Sequence, residues 1–599
     1  MTARNRVSES KKQAILTTIL VSTVLTTVIL SRALISSGGN RSSSTELPID
    51  YEELSHSPRA TAWYIPDYPA IEAMRESIVS TFQLCETGFE GLAAPLYGLL
   101  PARDYGMIFV RDTSTMMPTL QYFYDDEYLR TPVEEFLRRQ YSPDTESIDG
   151  DIPGEGAISA VIAPDGHIDK ATVVSDEETH LIHAAYLYYQ SIGGADWLRK
   201  ELSGETTIVR LNRALDWLYA HRFDSAHELV KRGHTTDWGD IKFEPSLNPT
   251  DLDPLTDHWT CSVYDQALAY RALLELAEMN QVLGDELRAR ELQERAEHLR
   301  LSTDANLWNP QGGFYLTHLH LTPLTHPFPE EEMVSISNAL VIYVGLTDPA
   351  RMQEIFTNLE SARMAAGASK PGLSLYPPYP AGFFTHVQMS PGEYQNGGLW
   401  DWWGGVQITA EFESGYSSLA LAHLRMVAQD WARHTRQIFE WQMPQTGEGW
   451  GAENYASAAA TMGEAIVRGL FGVTIERDGV RLQPRLRKHE GRIRVLQPAS
   501  GFYVSYDYRY EPGFIVLDYG SNHPRPLEVR LLLPLGREIE EVSIDGFSVS
   551  HRMETLAEDS YCAFQAPSGV HRVVIIFSYS PWPAACRIVS DSSWHIPPS

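Results

Sequence analysis

The sequence predicts a mainly α fold, a ring of helical hairpins followed by a small C-terminal β-sandwich. Three observations carry the prediction. From about Trp63 to Val473, long stretches repeat apolar residues at helical spacing. Between them lie loops dense in Gly, Pro, Trp and Asp, and long loops inside a compact domain are usually functional. After Gly472 the texture changes to short runs rich in β-branched and aromatic residues, separated by turn residues such as Asp478-Gly479.

In chain order, residues 1–13 are a basic segment carrying Arg4, Arg6, Lys11 and Lys12. Residues 14–35 follow as a signal anchor or signal peptide, because Ala14 to Leu30 holds no charge. That uncharged run spans roughly 25 Å as a helix, and extension to Ile35 suffices for a bilayer core. The basic side is expected to stay cytoplasmic, leaving the body outside, membrane-anchored or secreted after cleavage. Residues 36–60, beginning "SSGGNRSSSTELP", read as a flexible tether. Helical periodicity then marks "DEETHLIHAAYLYYQSI", "TTIVRLNRALDWLYAHRF", "VYDQALAYRALLELAEMNQVLG", "DELRARELQERAEHLRLSTDANLW", "GYSSLALAHLRMVAQDWARHTRQIFEW" and "YASAAATMGEAIVRGLFG", within a helical domain over 61–472. Residues 473–580 form the β-sandwich, with strands such as "VTIERDGVRLQP" and "GFYVSYDYRYEPGFIVLDYG", and 581–599 are a tail.

Composition narrows the function classes. The chain of 599 residues carries 48 basic and 78 acidic side chains, a net charge of -30, which repels a phosphate backbone and excludes nucleic acid as a natural partner. Aromatics reach 11%, and flat rings suit the apolar face of a pyranose as well as a large core. The four cysteines show no C-x-x-C spacing, which argues against a zinc or redox motif, although Cys562 and Cys586 could pair in an oxidising compartment. "HLIHAAY" and "HLH" place histidines close together, but no third ligand is evident, so no metal is expected.

Four loops carry the chemistry. They are "RDYGMIFVRDTSTMMP", "TDWGD" followed by "VYDQALAY", "EYQNGGLWDWWGGVQ" and "TGEGWGAENY". In this order they resemble the loops of six-hairpin glycosidases with an (α/α)6 barrel, a group including trehalases, glucoamylases, processing α-glucosidases and debranching enzymes. The resemblance spans about 400 residues. It implies a six-hairpin toroid, no cofactor, and an exo-acting inverting hydrolase cleaving a terminal α-glucosidic or related linkage of a disaccharide or oligosaccharide. Membrane attachment is expected only through the uncharged N-terminal segment.

Inverting hydrolysis needs a protonated carboxylic acid at the glycosidic oxygen and a carboxylate activating water, roughly 6.5–9.5 Å apart. Asp240 is the expected acid, with burial beside Trp238 raising its pKa, and Asp237 is the alternate. Glu453 is the expected base and Glu448 the alternate, in a loop whose glycines permit close approach of backbone to ligand. Arg111 and Asp112 are expected at the sugar hydroxyls, since their apolar neighbours argue for burial and a buried charge needs a partner. Trp400, Asp401 and Trp402 are expected to form a platform, with Asn396 before it and Glu178 on the helix facing the same end. Rival readings are a phosphorylase or rhamnosidase on the same ring, or a glycan-binding scaffold with a degenerate site.

Overall fold

The computed structural model describes residues 50–142, 154–323 and 328–578. The basic N-terminus, the anchor or signal segment, and the tail all lie outside the described residues, as does Cys586. Among the described residues, no helix is long and apolar enough to cross a membrane.

Twelve of the described helices form two rings. They are α1 (Pro69–Cys85), α2 (Val110–Leu120), α3 (Asp126–Arg138), α4 (Glu177–Tyr188), α5 (Thr207–His221), α6 (Val263–Val282), α7 (Glu286–Leu307), α8 (Ser337–Tyr343), α9 (Met352–Ala365), α10 (Asp401–Glu413), α11 (Ser417–Arg433) and α12 (Ala456–Glu464). Each even-numbered helix packs on the next, and α12 packs back on α2, so the inner ring closes. The odd-numbered helices sit outside it: α3 lies against α2 and α4, α5 against α4 and α6, and α1 between α11 and α12. An inner helix has neighbours on every side, which is why α10 is buried from Asp401 to Phe412. Small residues allow the close approach. A Cβ on Gly405 would stand 2.4 Å from Thr461 Oγ1 of α12, so the Gly404-Gly405 pair is a packing device between inner helices.

The periodic stretch expected to run to Trp441 stops sooner. α11 ends at Arg433, and Thr435 and Arg436 take positive φ values of 52° and 67°. A left-handed backbone cannot continue a right-handed helix. The chain turns there and delivers residues 438–442 to the loop end of the ring.

The C-terminal region contains two sheets. One has seven strands in the spatial order Ala62–Tyr64, Gly491–Gln497, Phe502–Glu511, Phe514–Ser521, Gly569–Phe577, Ile539–Ile544 and Phe547–Ser548. The other has five: Val473–Glu476, Gly479–Leu482, Leu527–Leu532, Asp559–Ala566 and Arg552–Leu556. All pairings are antiparallel except Gly479–Leu482 with Leu527–Leu532. The N-terminal end of the described chain departs from the sequence reading. Tyr51–Ser55 is helical, buries Leu54 and packs on the strands Phe514–Ser521 and Gly569–Phe577, so the latter part of the expected tether is bound to this sheet. Ala62–Tyr64, expected in the helical domain, joins it as a strand paired with Arg492–Arg494.

The helical and β regions are bolted together. The buried Arg485 guanidinium donates to Glu413 at the end of α10 (2.7 Å), and the Ser417 amide donates to Asp559 (3.2 Å). Gly415, at φ 85°, leaves no room for a Cβ against the Leu556 carbonyl.

Candidate active site

The loops preceding the inner helices enclose a cavity of about 260 Å³. Six acidic residues line it (Asp112, Asp169, Asp176, Glu177, Asp240 and Glu440) against one basic residue, Arg111. Trp238, Trp400, Trp402, Tyr105, Tyr394 and Tyr455 supply aromatic wall.

Arg111 and Asp112 open α2. The Arg111 Nε donates to Asp176 (2.9 Å), and its Nη1 lies 3.9 Å from Asp240 Oδ2. Burial opposes its charge, but the carboxylates around it, Asp176 first, hold the guanidinium firmly protonated. Asp112 accepts from Ser457 (2.6 Å) and Tyr455 (3.1 Å) at the start of α12, and burial pushes its carboxyl up.

The stretch His234–Asp240 bends sharply. Asp237 stands at φ 76°, a region Asp tolerates better than most residues. A Cβ on Gly239 would meet Gln395 Oε1 at 2.5 Å, so the glycine makes room for that side chain. Gln395 in turn donates to Asp240 Oδ1 (2.6 Å) and accepts from the Asp240 amide (3.2 Å), which fixes the carboxylate at the cavity. The Asp240 side chain keeps 31% of its exposure, so it is less enclosed than the expected burial beside Trp238 required. Trp238 instead packs edge-on against Trp400, Trp402 and Trp403 at 5.0–5.5 Å.

Asp237, the alternate acid, points away from the cavity. It is wholly buried and accepts from Ser262 and Ser335, and the amide of Tyr264 reaches it at 3.3 Å. The geometry makes it the anchor of the bend.

Neither residue expected as the base stands at the cavity. Glu453 is exposed and accepts from Gln437 (3.1 Å), and Glu448 is also exposed; neither lines the cavity. Glu440 does, and it is 5% exposed. It accepts from the Tyr105 hydroxyl (2.6 Å) and the Ala452 amide (3.0 Å). A Cβ on Gly451, at φ 71°, would stand 2.5 Å from Glu440 Oε2. The glycine-rich loop therefore brings backbone up to a carboxylate that stands outside it. Burial pushes the Glu440 carboxyl above its ordinary value, opposed by the Tyr105 and Ala452 hydrogen bonds and assisted by the charges of Asp112 and Asp240.

Three further expectations shift by one position or fall inside the core. Glu178 is fully buried, accepting from the Ile158 amide and Lys170 (2.9 Å each), while Glu177 lines the cavity with its carboxyl pushed up by burial to about 8. Asn396 bridges the backbone of Tyr379 and Met389, and its neighbour Gln395 takes the cavity position. Asp401 accepts from Trp431 (2.7 Å) and pairs with Lys370, inside the helical core. A one-residue slip is expected, because neighbouring side chains on a bend or helix start point in different directions.

Asp176, Glu177, Gln395, Tyr105 and Glu440 were not singled out from sequence. Glu440 had a signal, a carboxylate beside Trp441, the same acid–tryptophan adjacency that marked Asp237-Trp238. Elsewhere His180 lies 3.0 Å from the Tyr264 hydroxyl and His183 lies 2.6 Å from Glu275, as ordinary buried histidines do. The "HLH" histidines differ: His318 and His320 both meet Glu330, which sequence distance had hidden.

No protein-family model and no curated protein matches this sequence. Solved structures do match. The GH78 family rhamnosidase of Bacillus sp. GL1 superposes with a TM-score of 0.57 at 14% identity, over 80% of this chain and 43% of that one. The Streptomyces avermitilis α-L-rhamnosidase complexed with L-rhamnose gives 0.56 at 15% identity, over 86% and 42%. A structure described as a sialidase gives 0.51 at 12% identity, over 88% and 43%. This chain thus spans less than half the length of those three, and the likeness shows a shared six-hairpin (α/α)6 fold.

Proposed function

We propose that the protein is an exo-acting glycoside hydrolase that removes a neutral terminal sugar with inversion, using Asp240 as general acid and Glu440 as general base. The observation that carries this is one aromatic-walled cavity lined by both carboxyls, each held by its own dedicated partners, Gln395 and Tyr105. A terminal ring enters first, so the scissile oxygen faces the mouth. Asp240, the more exposed of the two, suits the leaving group; Glu440, deep in the cavity, suits a water on the far face of the ring. A general base works best with a pKa near working pH, and burial moves Glu440 in that direction. Arg111, Asp112 and Asp176 are placed to hold ring hydroxyls. The acidic lining opposes an anionic substrate, which speaks against uronic or sialic acids and against a phosphorylase.

α-L-Rhamnosides and terminal α-glucosides, trehalose included, head the substrate panel. Incubation with each, followed by NMR of fresh product, should show one sugar released with the anomeric configuration inverted. A retained product rejects the mechanism, and sugar binding without turnover across the panel favours a scaffold role. We further propose that residues 14–35 place this body outside the cytoplasm. Recovery of the full chain in the soluble cytoplasmic fraction would reject that.

A further inference from the structure

A second constellation lies behind the loop that carries Asp240. A small three-stranded sheet joins Arg232–Gly233, Trp259–Ser262 and His318–His320. It gathers histidines far apart in sequence: His234 follows the first strand, His258 precedes the second, and His318 and His320 share one face of the third. Glu330 meets this group from the following loop. His234 Nε2 lies 3.2 Å from Glu330 Oε1, and His320 Nε2 lies 3.1 Å from Glu330 Oε2.

We propose that His234, His320 and Glu330 form a binding site for a divalent transition metal of the zinc class. One ligand atom from each lies within 4.8 Å of the others. Around a tetrahedral zinc with bonds near 2.0–2.2 Å, adjacent ligand atoms stand about 3.3–3.6 Å apart, a separation approached by the 3.2 and 3.1 Å between each imidazole and its own Glu330 oxygen. The outer contacts are those a metal site uses. His258 Nε2 lies 3.0 Å from His320 Nδ1, which occupies the ring nitrogen of His320 turned away from Glu330. His318 Nδ1 lies 3.0 Å from Glu330 Oε2 and steadies the carboxylate. Phe243 and Phe383 pack around His234 as an apolar shell. His234 and Glu330 are buried, while His320 retains 23% exposure, which leaves an entry side and room for a water as fourth ligand. The site reaches the bend that presents Asp240 through Glu330 and His318, whose Nε2 accepts from the Asp237 amide (3.2 Å).

The test measures metal rather than turnover. The purified full chain is stripped with a chelator, equilibrated with Zn2+, Co2+ or Mg2+, and assayed for bound metal, thermal midpoint and, with Co2+, visible absorption. The expected result is about one Zn2+ per chain, a midpoint raised by Zn2+ and not by Mg2+, and the intense d–d bands of four-coordinate Co2+. His320→Gln and Glu330→Gln should abolish the stoichiometric site, and His258→Phe should weaken it about 10- to 100-fold. Less than a tenth of an equivalent of zinc with an unmoved midpoint overturns the proposal, as does unchanged binding in His320→Gln and Glu330→Gln. If those variants fail to fold, the wild-type cobalt spectrum decides, with weak octahedral bands counting against the site. A chain that binds zinc but hydrolyses nothing would reject the hydrolase reading alone.

Discussion

Asp240→Asn should slow hydrolysis of an ordinary glycoside about 100- to 10,000-fold, the usual loss when a general acid is removed. A glycosyl fluoride needs less protonation to depart, so most of that loss should vanish with the fluoride. Glu440→Gln should be damaging with both substrates, because water must still be activated. Glu453→Gln should leave both rates within about threefold, since its carboxylate meets Gln437 away from the cavity. Comparing rates on fluoride and glycoside for the three variants checks the assignment; a rescue confined to Glu440→Gln would exchange the two roles. Tyr105 gives a second handle. Its hydroxyl stabilises the charged form of Glu440, against the larger effect of burial. Tyr105→Phe therefore raises the pKa of the base and should shift the acidic limb of kcat/KM to higher pH. A limb that stays in place would separate Tyr105 from the base.

At the scale of elements, α9, α10 and α11 share a buried ion cluster. His423 of α11 lies 2.9 Å from Glu411 of α10 and 3.3 Å from Glu360 of α9. Burial opposes its charge, but the two carboxylates prevail and hold the imidazole at about 9. Unfolded, it titrates near about 6.5. A raised pKa means the contribution to stability is complete below about pH 6.5 and is lost as pH climbs through about 9. Thermal unfolding of wild type and His423→Gln across that window should show the gap between them narrowing with rising pH. A constant gap would mean that the imidazole carries no charge in the fold.

The whole molecule should unfold as one piece. Arg485 lies in the β region yet its guanidinium is fully buried against Glu413 of the inner ring. Arg485→Met removes the charge-assisted hydrogen bond to Glu413, worth about 1.5–3 kcal/mol, together with those to the Arg468 and Gly469 carbonyls and the Tyr561 hydroxyl. Glu413 retains Arg468 and Arg481, so the loss stays below that of a stranded buried charge. Calorimetry should give a single transition for the wild type and a lower one for the variant. Two separated wild-type transitions would mean that the β region stands alone.

The sequence by itself determined the helical stretches and the change to β structure, because a 3.6-residue apolar period and short β-rich runs are local signals, while the ring was implied only by the resemblance of its loops. It also located the loops that meet at the cavity, and Arg111, Asp112, Trp238, Asp240, Trp400 and Trp402 all stand there. Only the tertiary structure decided which carboxylate faces which way. Glu440 closes a stretch whose apolar period reads as helix while Glu453 sits among glycines, and the structure separates them because the helix stops at Arg433, Gly451 closes on Glu440 and Glu453 turns to solvent. Glu330 and His234 are 96 residues apart along the chain, so no spacing rule could join them. Periodicity records which face of an element is buried; it does not record which side chains from distant loops share a cavity, and that is settled when the ring closes.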